Sequence, residues 1–113
     1  MASPKLKLRD LFTQRLRQMR VEAGLSQREL GRRIGLLEEV VSSRVTRYEL
    51  GTSEPDFETA GKLARELGVP LAYLLADDET LAEVILAASK LSTAEQRKLA
   101  LELKIRTAAK SPG

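Results

Sequence analysis

Apolar residues recur along this chain at the spacing of helix turns, and over no useful length in the alternating pattern of a strand. Phe12, Leu16 and Met19 make one stripe, Val41, Val45 and Tyr48 a second, and Leu81, Val84, Ile85 and Ala88 another. A chain patterned in this way buries its apolar surface by packing helix on helix, so an all-α fold is expected. With 113 residues, of which 42% are hydrophobic and 4% aromatic, the core must be modest and built from Leu, Val, Ile and Ala.

Punctuation divides the pattern into elements. A first helix is expected from about Asp10 to Ala23, closed by Gly24, which can take the left-handed conformation at a helix end. Ser26 opens a second, and with Glu29 it has the Ser-x-x-Glu spacing of a capping box. Gly35 closes that helix, with Leu30 and Ile34 facing inward. The third, from about Glu38 to Tyr48, turns its Val41 stripe to the core. Asp56 caps a fourth, whose inward residues are Phe57, Ala60, Leu63, Ala64 and Leu67, and a fifth follows Pro70. These five helices can close a core over residues 10–76, behind a basic arm at 1–9. Residues 77–113 then read as a helical extension in which Ser92 and Glu95 form a second capping box. In its last helix Leu99 and Leu103 lie on one line and Leu101, Ile105 and Ala108 on another, an apolar arc so broad that a two-fold partner, a homodimer, is expected to cover it.

Composition removes several functions. The chain has no Cys and no His, which excludes disulfides, thiol nucleophiles, Cys- or His-ligated metals and the commonest general base. No catalytic pair is visible, so an enzyme is not expected, and neither a cofactor nor a small-molecule effector is implied. Asp77, Asp78 and Glu79 lack further oxygen ligands at loop spacing and read as a helix cap rather than a metal site. The first nine residues alternate charge with Leu instead of forming a secretion signal, and no run approaches the ~20 apolar residues of a membrane span. A cytoplasmic location is the expectation. The net charge of +3 is unevenly spread: residues 1–35 carry nine Lys/Arg against three Asp/Glu, and residues 36–76 carry four against seven. The basic front of the chain suits a polyanion.

The second and third helices carry the functional signal. Two short helices joined by a turn, the latter with a small polar outer side, make a helix-turn-helix reading. A helix that reads DNA must bury one side for rigidity and offer short donors and acceptors on the other. Around the third helix Ser42, Ser43, Thr46 and Arg47 meet that need, and Gln27 at the start of the second helix joins them as a base-contact candidate. Ser26 and Arg28, at a helix N-terminus where backbone donors point outward, are phosphate-contact candidates together with Arg17 and Arg44.

These residues stand in a longer string. Gly24-Leu25-Ser26-Gln27-Arg28-Glu29-Leu30-Gly31, then Val45-Thr46-Arg47-Tyr48-Glu49-Leu50-Gly51, then Leu63-Ala64-Arg65-Glu66-Leu67-Gly68-Val69-Pro70 follow in order. The string, over about residues 11–76, resembles the phage-repressor, Cro-like helix-turn-helix domain of the xenobiotic-response-element type. The resemblance implies a five-helix DNA-binding domain of a transcriptional regulator that acts on double-stranded DNA as a dimer. It also implies a structural salt bridge between Arg20 and Glu49. Gly35 and Tyr48 lie 13 steps apart, about four more than the usual family spacing and so roughly one additional helical turn at or before the recognition helix. The loop after Gly51, often basic in the family, is Thr52-Ser53-Glu54. Glu38 and Glu39 are unusual beside DNA; they suit a helix N-terminus, and Glu39 could alternatively accept from a cytosine amine. The acidic middle of the chain keeps a second function open, a protein-interaction module such as an antitoxin with DNA binding secondary.

Overall fold

The computed structural model describes residues 7–110, with side chains described as far as Ala108. Among these residues the fold is all-helical: α1 (Leu8–Glu22), α2 (Gln27–Arg33), α3 (Val41–Leu50), α4 (Phe57–Leu67), α5 (Leu71–Leu75), α6 (Glu79–Ser89) and α7 (Thr93–Lys110). None of them is long and apolar enough to cross a membrane. Most of the expected basic arm falls on residues 1–6, outside the described residues, and α1 takes in Leu8 and Arg9.

The core of α1–α5 follows from the stripes. Leu16, Leu30, Val41, Val45, Leu63 and Leu74 are fully buried, one or two from each helix. Gly24 and Gly35 take positive φ at the ends of α1 and α2, reversing the chain where a Cβ would be strained. Ser26 caps α2 by accepting from the Glu29 amide at 3.0 Å. The return half of that capping box is absent, because the Glu29 carboxylate turns to Arg33 and Arg32 instead. Ser92 and Glu95 complete theirs in both directions.

Two side chains and one helix are notable against the sequence pattern. Phe57, expected inside, is 85% exposed, since the position after the Asp56 cap lies on the outer side of the first turn of α4. Arg15, a charged residue, is buried. Its guanidinium donates to the Tyr73 carbonyl at 3.1 Å, to the Ala76 carbonyl and to the Glu79 carboxylate at 2.8 Å, and lies over the Tyr73 ring. The charge is tolerated because the open carbonyls at the end of α5 and an acid on α6 satisfy it. Finally, α6 is rotated from the expected face. Ala82, Ile85 and Leu86 meet the core, while Leu81 and Val84 are about half exposed. Asp78 caps this helix through the Thr80 and Leu81 amides. The radius of gyration, 16.7 Å against about 13 Å for a compact chain of this size, reflects α7 standing out from the body formed by α1–α6.

Candidate nucleic-acid interface

The site is built on α3. Val41, Val45 and Tyr48 are buried at successive turns, which fixes the helix by one side. Ser42, Ser43 and Arg47 are exposed on the other, with Thr46 and Arg44 at its edges, half-buried. The helix starts at Val41, not at Glu38, and Glu38–Val40 form a turn. The additional residues of this chain therefore lengthen the connection between α2 and α3 rather than the recognition helix. Glu38 and Glu39 consequently stand ahead of the α3 N-terminus, with no acidic residue in its first turn.

The N-terminal end of α2 lies against α3. Glu49, near the end of α3, accepts from Arg20 of α1 through two nitrogens and from Gln27 Nε2 at 3.0 Å. Arg20 also donates to the Leu25 carbonyl at 2.9 Å, and the Glu49 hydrogen bond holds its pKa above the ordinary arginine value. The Thr46 hydroxyl sits within donating reach of Gln27 Oε1 at 2.7 Å and of the Ser42 carbonyl at 2.8 Å. Arg20, Glu49, Gln27 and Thr46 thus form one chain of hydrogen bonds across three helices. Gln27 and Thr46 are held in place by it, their polar ends already engaged. Ser43 donates back to the Val40 carbonyl at 3.3 Å, and Arg47, one turn further along, is exposed.

The cations around this face differ in their state. Arg17 is exposed on α1, next round the helix from Arg20. Arg28 is half exposed and donates to Glu38 at 3.0 Å, as does Arg32 at 2.6 Å. Arg28 and Arg32 are four apart on α2, so both reach the carboxylate that the long turn folds back over them. The Arg32 hydrogen bond is the main reason the Glu38 carboxyl is held below its usual pKa. Further along, Arg9 pairs with Glu54 in the loop after Gly51, so that loop's acid neutralises a cation of α1. Glu39 forms no ion pair with any described residue.

A helix-turn-helix family model matches residues 16–74, more than half of the chain. The chain belongs to the helix-turn-helix family of phage-repressor, Cro-like type. The cryptic phage CTXphi transcriptional repressor RstR of Vibrio cholerae is 41% identical over 70 residues, which are 62% of this chain and 60% of that repressor. The match thus spans about three fifths of that curated relative's length. A solved structure, that of the transcriptional regulator BswR, is similar with a TM-score of 0.77 and 36% identity, over 86% of this chain and 96% of that one. That coverage exceeds what residues 10–76 alone can supply, so the likeness runs into the extension.

Within this helix-turn-helix domain two features escaped the sequence pattern. Arg32 shares the Glu38 clip with Arg28, and the Arg-x-x-x-Arg spacing on one side of α2 was the available signal. Gly31 is a point of close approach between α2 and α3, where a Cβ would stand 2.8 Å from the Val41 carbonyl oxygen; nothing in a lone helical Gly reveals that approach.

Proposed function

We propose that this protein is a DNA-binding transcriptional regulator of repressor type, acting in the cytoplasm as a two-fold homodimer. In this reading α3 enters the major groove. Ser42, Ser43 and Arg47 contact base edges, with Thr46 and Gln27 held behind them, while Arg17, Ser26, Arg28 and Arg44 contact phosphates. The carrying observation is the two-sided build of α3: three buried residues lock it to the body, and its exposed side is short, polar and hydrogen-bonding. The Ser26 hydroxyl is occupied as a cap, so its phosphate contact is through the backbone at the start of α2.

Titration of a selected duplex by fluorescence anisotropy at several salt concentrations tests this. Affinity should fall steeply with salt, since each neutralised phosphate releases about 0.9 of a counterion. Ser43→Ala or Arg47→Ala should change the ranking of sites by about 1–3 kcal/mol at particular base pairs, whereas Arg17→Ala should weaken all duplexes alike. Unchanged site ranking would remove α3 as the reader. Absence of binding to any duplex at low salt would favour the protein-interaction reading, for which the acidic 36–76 segment speaks.

Glu38 gives a separate expectation. It occupies two cations that a phosphate would use, so Glu38→Gln should raise affinity for all duplexes several-fold and steepen the salt dependence by about one ion or more. The wild-type clip depends on an ionised carboxylate. With a lowered pKa it is intact above the ordinary carboxylate range, and is lost only as pH falls through the lowered value. Equal affinity and equal salt slope in the two proteins would show that Arg28 and Arg32 do not approach DNA.

A further inference from the structure

The last helix is the least explained part of the molecule. Among the described residues of α7 none is buried, although in proteins most of a helix's stability comes from packing one of its faces. Its contact with α6 is made by one side: Gln96 donates to the Ala88 carbonyl at 2.9 Å, and Leu99, next to it on that side, is half-buried. The opposite side carries Ala94, Lys98, Leu101, Ile105 and Ala108, spaced alternately by four and three residues and all exposed. Leu101 is 59% and Ile105 64% accessible. That alternation is the seam of a two-stranded coiled coil.

We infer that this seam is the docking surface for a second copy of the chain, with the two α7 helices lying parallel about the two-fold axis. The flanking charges decide the direction. Glu95 and Glu102 follow the seam along one edge, and Arg97 and Lys104 along the other. Antiparallel helices would set the basic edge of one copy against the basic edge of the other, and acid against acid. Parallel helices set each basic edge against an acidic one, and place Arg97 of one copy beside Glu102 of its partner, the five-residue offset at which such edges meet. Lys98 interrupts the apolar seam once, which disfavours larger bundles and fixes register at some cost in stability. The inference rests on the two-fold homodimer proposed above but not on DNA binding.

The absence of cysteine in the natural sequence makes cross-linking a clean test. Leu101→Cys in the full chain, left to oxidise in air, should form a disulfide dimer, because residue 101 meets its own copy. Ala94→Cys should do so as well. In an antiparallel pair, where each a position faces a d position of the other copy, Ala94→Cys would fail alone and cross-link only when mixed with Ile105→Cys. Sedimentation of the cysteine-free protein adds a charge test: Arg97→Glu should weaken dimerisation by about tenfold, as two attractive pairs become repulsive. Adding Glu102→Arg should restore it. All these positions are exposed, and unchanged helical circular dichroism confirms that each variant is folded. Failure of Leu101→Cys to cross-link at tens of micromolar, cross-linking only in the Ala94→Cys and Ile105→Cys mixture, or no rescue by the double exchange would overturn the parallel seam. A monomer that still binds duplex in a salt-dependent way overturns the seam alone. A cross-linked dimer that binds no duplex overturns the functional reading alone.

Discussion

Glu49→Ala is expected to remove about 3–5 kcal/mol of folding stability, the range found when one partner of a buried ion pair is deleted. The Glu49 side chain is only 4% exposed and holds Arg20 through two nitrogens and Gln27 through one. Its loss leaves the nearly buried Arg20 guanidinium with the Leu25 carbonyl as its remaining partner, so the cost is mainly that of an unpaired charge in a place water reaches poorly. For a domain of this size each kcal/mol lowers the thermal midpoint by about 4–8 °C, which differential scanning calorimetry resolves easily. Replacing both partners with Leu should cost much less than the sum of the two single deletions, because no charge is then left behind. The same variant loosens Gln27, and through it Thr46, so DNA affinity should fall at temperatures where the chain is still folded. A loss below about 1 kcal/mol would instead place the pair with ordinary surface salt bridges.

Gly31→Ala should also destabilise, although the usual effect of that change inside a helix is a gain of about 1 kcal/mol. A Cβ at position 31 would stand 2.8 Å from the Val41 carbonyl oxygen and 3.0 Å from the Val41 Cβ. Backbone of the next helix cannot step aside as a flexible side chain can, so α3 must shift its first turn away from α2. The expected cost is about 1–3 kcal/mol, the range for overpacking. Site discrimination should fall as well, because Val41 opens the helix that carries Ser42 and Ser43. Gly61→Ala is the control. It also lies in a helix, α4, yet its Cβ would meet nothing within 4 Å, so it should stabilise by about the amount that helix propensity gives. Urea unfolding of the two variants side by side checks both signs; a stabilised Gly31→Ala would mean that α2 and α3 are less closely packed than the structure places them.

The apolar spacing of Leu16, Leu30, Val45 and Leu63 was sufficient to read the helices and, Phe57 apart, their inward sides, because helix periodicity is a local property written every three or four residues. The family was legible for the same reason: the Ser26 cap, Gly35 and the run from Val45 to Gly51 are local signatures in a set order. Where the sequence left matters open, the answer depended on residues distant in the chain. Nothing near Arg15 in the chain gives a reason to bury a cation; the carbonyls of Tyr73 and Ala76, some sixty positions away, supply it. Glu38 looked like the start of a helix until the turn folded it over Arg28 and Arg32, two partners whose attraction for the carboxylate no helix propensity expresses. Phe57 has the right apolarity for the core, but the direction in which α4 leaves its Asp56 cap faces it outward. Local chemistry decides which residues become helical and where helices stop; which charges are buried, which cations are already paired and which apolar side is left for a partner are decided only when the helices pack.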